Sequence, residues 1–319
     1  MPNILFIKTS SLGDVVHHMP ALTEARRNCP GAQFTWVVEE TLAPLVRLHP
    51  AVEVIPVATR RWRKSFYLPS TWLEMRRFVQ TVRARSYDKV IDTQGLMRSA
   101  LITRAARGQR HGYDVHSIRE RLAVPVYDVR HGVDRRLHAI ERNRLLAGLA
   151  LGYTPAGPPD YGLDRERLAA SRTSPYGIFL HGTAQRGKQW PEERWTALGA
   201  ALGGSHDLVL PWGTNAERVR AERIAAALPR ARVLERQPLD AVARLTAGAS
   251  FVIGVDTGLS HLAAALGVPL VAIFAGSEVG LTGPIGSGPI VVVGKKGMLP
   301  SVEEVAGAAK RVGVLSGTR

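Results

Sequence analysis

The chain has 319 residues, 45% of them hydrophobic and 22% charged, which excludes disorder and a collagen-like repeat and leaves room for two domains of ordinary size. Forty-two Lys and Arg against 27 Asp and Glu give a net charge of +15; that excess attracts polyanions such as nucleic acid, anionic lipid or phosphorylated substrates without choosing among them. Cys29 is the single cysteine, so an internal disulfide and a cysteine-rich zinc site are excluded, and a reducing compartment is expected.

In chain order, Ile4 to Ile7 reads as a strand. No basic leader precedes it and its apolar run stops at Lys8, so export is not expected. A helical pattern covers Val15 to Asn28, followed by strands at Phe34 to Val38 and Val52 to Pro56. Thr71 to Arg85 reads as helix, Lys89 to Asp92 as strand and Leu96 to Ala106 as helix. Thr154 to Pro159, with the sequence TPAGPP, suits neither helix nor central strand and marks a linker. The expected division is residues 1–153, a linker over 154–172, and a second domain over 173–319 whose C-terminal helix is available to pack back on the first.

The second half repeats the alternation. Strands are predicted at Gly177 to His181, Asp207 to Pro211, Phe251 to Val255, Leu270 to Phe274 and Ile290 to Val293. The intervening helices are Glu192 to Leu202, Ala216 to Leu228, Leu239 to Ala247 and Leu259 to Leu266. The uncharged stretch Thr257 to Ser277 approaches bilayer-spanning length, but Gly258, Ser260, His261, Gly267 and Pro269 break it into a helix and a strand, so no transmembrane helix is expected. Apolar strands separated by helices imply parallel sheets covered on both faces, hence two doubly wound, Rossmann-like α/β domains with the default site in the cleft between them. Residues 1–153 carry 24 basic and 13 acidic side chains, and residues 154–319 carry 18 and 14. The basic surface belongs mainly to the first domain.

Three strand-to-helix loops collect polar groups. After Ile7 come Lys8, Thr9, Ser10, Ser11, Leu12, Gly13 and Asp14, then His17 and His18. Asp14 beside a helix start is either a cap or, at the carboxyl edge where ligands gather, a general base for a substrate hydroxyl. After His181, the loop Gly182 to Pro191 has P-loop spacing as far as Lys188. Gln189 then stands where a magnesium-binding hydroxyl is needed, and Pro191 moves the helix start downstream, so the reading that survives is Thr183, Arg186 and Lys188 offered to an anion. After Val255, Asp256 precedes a helix start at Thr257, Gly258 and Leu259, with His261 one turn on: a cradle for pyrophosphate, or simply a capped helix. The fingerprint Gly-x-Gly-x-x-Gly is absent, and so is metal-binding spacing. A basic, aromatic run from Arg60 to Tyr67 (Arg60, Arg61, Trp62, Arg63, Lys64) reads as a loop that grips nucleic acid or an anionic acceptor.

The set of motifs resembles the lipopolysaccharide heptosyltransferases of glycosyltransferase family 9, most closely its type I members. The resemblance runs in order through KTSSLGD (Lys8 to Asp14), WVVEE (Trp36 to Glu40), IPVATRRWRK (Ile55 to Lys64), DTQGLMRSA (Asp92 to Ala100), KQWPEERW (Lys188 to Trp195), LPWG (Leu210 to Gly213) and VDTGLSHLAAAL (Val255 to Leu266). It implies the glycosyltransferase-B fold, two Rossmann-like domains facing each other across a cleft, with the acceptor on the first and the nucleotide sugar on the second. It also implies inverting transfer of L-glycero-D-manno-heptose from ADP-heptose to the inner Kdo of Kdo2-lipid A, without cofactor or metal. On that pattern Asp14 is the general base. Thr183, Lys188, Thr257, Gly258, Leu259 and His261 hold the departing ADP, Glu217 holds the ribose, and Asp256 holds the donor loop or the heptose hydroxyls. Lys8, Ser10, Ser11, Gly13, Arg60, Arg61, Arg63, Lys64 and Arg119 serve the acceptor. The implied setting is cytoplasmic, peripheral to the anionic inner face of the cytoplasmic membrane, with no nucleic-acid partner. The Gly182 to Gly187 loop, Gln237 and Pro238, and the tail after Phe274 depart from the family pattern. A P-loop-like hydrolase and a non-catalytic RNA-binding protein are the rival readings from other classes.

Overall fold

The computed structural model describes residues 1–169, 174–183, 186–202, 206–276 and 278–314. The chain divides into two compact units, Met1–Gly162 and Leu163–Arg319. The first opens with β1 (Asn3–Ile7), α1 (Leu12–Val16), α2 (Met19–Asn28), β2 (Gln33–Glu39), α3 (Ala43–Val46) and β3 (Glu53–Val57). It continues with α4 (Thr59–Ser65), α5 (Pro69–Arg83), β4 (Ser86–Asp92), α6 (Met97–Ala105), β5 (Arg107–Tyr113), β6 (Val129–His131) and α7 (Ala139–Leu151). The six strands are parallel, in the order β3-β2-β1-β4-β5-β6. Leu5, Phe6, Ile7, Trp36, Val37, Val90 and Ile91 are buried, as central strands covered on both faces require.

Two local expectations change. The single helix predicted from Val15 is two helices, and Asp14 lies inside the first. Pro20 stands in the first turn of α2, where its missing N–H costs nothing; in an unbroken helix its ring would clash with the carbonyl of Val16. The run from Arg60 is not a loop: Thr59–Ser65 is α4, capped at its start by Glu39, which accepts from the Thr59 hydroxyl at 2.6 Å and the Arg60 N–H at 3.1 Å. The TPAGPP segment is tied down within the first unit. Arg144, buried against Glu24 at 2.9 Å, also donates to the carbonyls of Ala156 and Gly157.

The second unit begins with α8 (Arg165–Leu168) and β7 (Tyr176–Leu180). A 3-10 turn (Arg186–Lys188), α9 (Glu192–Ala201), β8 (Asp207–Leu210), α10 (Asn215–Ala226) and β9 (Ala231–Val233) follow. Then come α11 (Leu239–Ala247), β10 (Phe251–Val255), α12 (Gly258–Ala265), β11 (Leu270–Ile273), α13 (Val279–Thr282), β12 (Ile290–Val293) and α14 (Val302–Arg311). Its parallel strands run β12-β11-β10-β7-β8-β9, the same winding as the first sheet. Phe179, Trp190, Trp195, Ile253 and Ile273 share one core with Val305, Ala308 and Ala309 of α14. The apolar face of α14 is thus taken up inside the second unit. Trp190 and Trp195 of the KQWPEERW motif are packing residues, with rings 5.1 Å apart and the Trp190 indole donating to the Pro300 carbonyl. None of the helices among the described residues is long and apolar enough to cross a membrane.

Candidate functional site

In each unit the chain winds outward in both directions from two central neighbouring strands, β1 and β4 or β7 and β10. The carboxyl ends of such a pair form the switch point where open α/β sheets bind ligands. In the first unit that edge gathers the loop after β1, the loop after β4 and the segment Asp114–Glu120. Gln94 clamps the first of these: its Oε1 accepts from the Thr9 N–H at 2.6 Å and the Thr9 hydroxyl at 2.8 Å, while its Nε2 donates to the Ser10 carbonyl at 2.7 Å. Arg98 donates to the Ser10 hydroxyl at 2.8 Å. The buried Ser10 is therefore held on both its backbone and its side chain, which fixes where Ser11 and α1 begin. Glu120 ties the third segment in, accepting from the Met97 N–H while its own N–H donates to the Gly95 carbonyl.

Asp14 sits in the first turn of α1, and its Oδ2 accepts from the Ser11 N–H at 2.7 Å and the Ser11 hydroxyl at 2.9 Å. The carboxylate is a cap, and neither bond uses Oδ1. Gly13 lies one residue earlier in the same helix, where its carbonyl accepts from the His17 N–H. Lys8 is buried, with its ammonium donating to the Thr93 carbonyl at 3.0 Å and Asn143 Oδ1 at 3.3 Å. Burial lowers its pKa, opposed by the nearby Asp14 and Asp92 carboxylates and reinforced by Arg142 and Arg119. Asp14 and the exposed Arg119 therefore both lie within electrostatic reach of Lys8. Asp92 is fully buried and its carboxyl is pushed up by that burial, though Tyr127 and the Gln94 and Gly95 N–H groups donate to it. His18 packs edge-on against Phe6 and Trp36, a core role.

The basic residues of α4 divide. Arg61 is bound by two carboxylates, Glu40 at 3.0 Å and Glu74 at 2.7 Å, so its charge is already neutralised. Arg60, Arg63 and Lys64 are exposed and form no ion pair among the described residues. Glu39 connects α4 to the Asp14 loop, since its backbone N–H donates to the Thr9 carbonyl while its carboxylate caps the helix.

In the second unit, β7 and β10 end side by side. Lys188, at the end of the 3-10 turn, donates from its ammonium to Asp256 Oδ2 at 2.6 Å, and Thr183 donates to the Asp256 carbonyl at 3.3 Å. The Lys188 stem runs close over Gly276, where a Cβ would come within 2.7 Å of it. His261 lies 3.9 Å from Asp256 Oδ1. Thr257 caps α12 in an extended conformation, so Gly258 and Leu259 of the first turn present amides that the helix itself cannot satisfy.

 The Gly258 and Leu259 N–H groups and the Lys188 ammonium thus stand at one strand edge as donors suited to a diphosphate, with the Lys188 charge balanced by Asp256. Glu217 closes the same edge from α10. Its Oε2 accepts from the Gly213 and Thr214 N–H groups at 2.8 and 3.0 Å, and its Oε1 lies against Gly182, where a Cβ would approach to 2.7 Å. The Arg186 side chain, Ala184 and Gln185 lie outside the described residues. The P-loop alternative fails on backbone geometry: Lys188 ends a 3-10 turn, and α9 starts only after Pro191.

Sequence reasoning missed Gln94, Arg98, Glu39 and Asn143. The first three stand within or beside quoted motifs, but nothing in their spacing signals a clamp. Asn143 sits in α7, where a polar residue on the buried face is visible only once the partner, Lys8, is in place.

Residues 75–310 match the family described as glycosyltransferase family 9 (heptosyltransferase). Lipopolysaccharide heptosyltransferase 1 of Pseudomonas aeruginosa is 48% identical over 288 residues, 89% of this chain and 81% of that protein. Its namesake from Escherichia coli K12 is 44% identical over 294 residues, covering 90% and 92%. The solved E. coli heptosyltransferase WaaC with ADP superposes with a TM-score of 0.88 at 40% identity, covering 97% of this chain and 98% of that one. The same enzyme with ADP-2-deoxy-2-fluoro heptose gives 0.86. The two Rossmann-like sheets are those of the glycosyltransferase-B fold. The chain belongs to glycosyltransferase family 9, the heptosyltransferases.

Proposed function

We propose that the protein transfers L-glycero-D-manno-heptose from ADP-heptose to the inner Kdo of Kdo2-lipid A, with inversion at the anomeric carbon. The observation that carries this reading is the near full-length likeness to a heptosyltransferase solved with ADP and with a fluorinated ADP-heptose. In the proposed reaction Asp14 takes the proton from the acceptor hydroxyl as that oxygen attacks the anomeric carbon, and the bond to the ADP oxygen breaks on the opposite side. Lys188 and the first amides of α12 take up the charge that develops on the leaving diphosphate, the role a divalent cation fills elsewhere. The reaction accordingly runs without a metal ion. Lys8 and the Ser10–Ser11 segment position the acceptor beside Asp14, and Arg60, Arg63, Lys64 and Arg119 pair with its phosphates and carboxylates. Arg61 contributes by holding α4 on Glu40 and Glu74. Glu217 holds the ribose, and the protein works at the inner face of the cytoplasmic membrane, where its glycolipid acceptor lies.

The test is ADP release from ADP-heptose with and without Kdo2-lipid A, each arm repeated with EDTA. Release that depends on the acceptor and survives chelation is expected. Acceptor-independent hydrolysis would replace transfer with hydrolysis, and EDTA inhibition reversed by magnesium would overturn the metal-free reading.

A further inference from the structure

The turn between α4 and α5 holds apolar side chains out in water. Phe66 is 64% exposed, Tyr67 71%, Trp72 60% and Leu73 57%. Hydrogen bonds maintain this arrangement: the Trp72 indole donates to the Phe66 carbonyl at 2.8 Å, and the Thr71 hydroxyl donates to the Ser65 carbonyl at 2.8 Å. Arg63 and Lys64 on the last turn of α4 and Arg76 and Arg77 on α5 flank the turn. All four are exposed, and none forms an ion pair among the described residues. The one carboxylate in residues 59–83, Glu74, is engaged by Arg61 and the Trp62 indole. The patch therefore combines an apolar centre with uncompensated positive charge.

We infer that the α4–α5 turn is a membrane anchor that inserts Phe66, Tyr67, Trp72 and Leu73 into the interfacial layer of an anionic bilayer, with the flanking cations against lipid phosphates. Tyr and Trp carry a polar group on an apolar body and suit that layer, and surrounding cations complement its negative surface. This rests on the proposed function only in that a glycolipid acceptor gives the anchor its purpose, and neither donor nor acceptor is needed to test it.

The experiment is flotation of the full chain with vesicles of phosphatidylcholine plus phosphatidylglycerol, and with phosphatidylcholine alone. Wild type is expected to float with the anionic vesicles. The triple variant Phe66→Ser, Tyr67→Ser, Leu73→Ser is expected to bind about tenfold more weakly or worse. Arg76→Gln with Arg77→Gln is expected to lose roughly fivefold per charge at low salt. Lipids brominated in the acyl chain are expected to quench tryptophan emission in wild type and to quench it markedly less in Trp72→Phe. Wild-type affinity in a folded triple variant, equal quenching in Trp72→Phe, or a patch that instead pairs two copies of the chain in sedimentation would each overturn the inference. Transfer to a soluble Kdo acceptor without acyl chains tests the proposed reaction separately, and the triple variant is expected to retain it.

Discussion

Replacing Asp14 separates the cap it forms on Ser11 from the base role proposed for it. Asn keeps an oxygen that can accept from the Ser11 N–H, so Asp14→Asn is expected to fold as wild type yet transfer ~100- to 10,000-fold more slowly, with ADP-heptose affinity nearly unchanged. Asp14→Ala should add a stability loss of about 1 kcal/mol or less from the missing charge in the first helical turn. Near-normal turnover in either variant would reduce Asp14 to a cap. Lys188 poses a related problem, because Asp256 is buried and the ammonium is its partner at 2.6 Å. Lys188→Ala is expected to weaken ADP binding and also to lower stability, since it removes the cation 2.6 Å from a buried carboxylate. Adding Asp256→Asn should recover stability without recovering ADP affinity, as read by thermal unfolding and calorimetric titration. Joint recovery of both would show that Lys188 acts only through Asp256.

At the scale of elements, one arginine closes the ends of two helices. Arg165 donates to the carbonyls of Ala247 at 3.0 Å, Ala249 at 3.0 Å and Gly267 at 3.1 Å, the first at the end of α11 and the last just past α12. Those carbonyls have no intrahelical donor. Arg165→Ala is expected to cost about 2 kcal/mol and so to lower the melting temperature by roughly 4–8 °C; an unchanged melting temperature would show that water replaces the guanidinium without loss. Helices with an apolar stripe, such as α5 and α11, were legible in the sequence. Thr59–Ser65 was not, because it has no buried residue to set a period, and its start is held by Glu39 of β2. Likewise α7 buries Asn143 and Arg144 on its inner face, which hides its amphipathic pattern. The strands β5, β6 and β9 begin exposed or are three residues long, too polar or too short to show as apolar runs. In the candidate site, the loops that hold Asp14, Lys188 and Asp256 were legible because each joins a strand to a helix. Gln94 was not, since its partner lies 85 residues away.

Across the whole molecule, both units bury histidines in positions that make folding sensitive to acid. In the first, burial pushes His49 and His111 down to about 4 and holds His18 well below the ordinary imidazole range; in the second, burial and the nearby Arg220 bring His181 to about 4. Each folded-state pKa lies below the ordinary value of 6.5. As pH falls through that value, the unfolded chain takes up protons that the folded chain refuses. The stability these groups contribute is therefore complete above the unfolded pKa and is lost as pH falls toward about 4, at up to ~1.4 kcal/mol per pH unit for each histidine. Asp92 opposes them, because its carboxyl is pushed up by burial and binds a proton in the folded state first, but it is one group against four. The urea midpoint is expected to drop steadily between about pH 7 and about pH 5, before ordinary surface carboxylates titrate. His181→Gln should flatten the dependence in the second unit alone, and His49→Gln in the first alone, as read by hydrogen exchange in each unit at the two pH values. A midpoint that does not move over this range would mean that the buried imidazoles take up protons as readily in the folded chain as in the unfolded one.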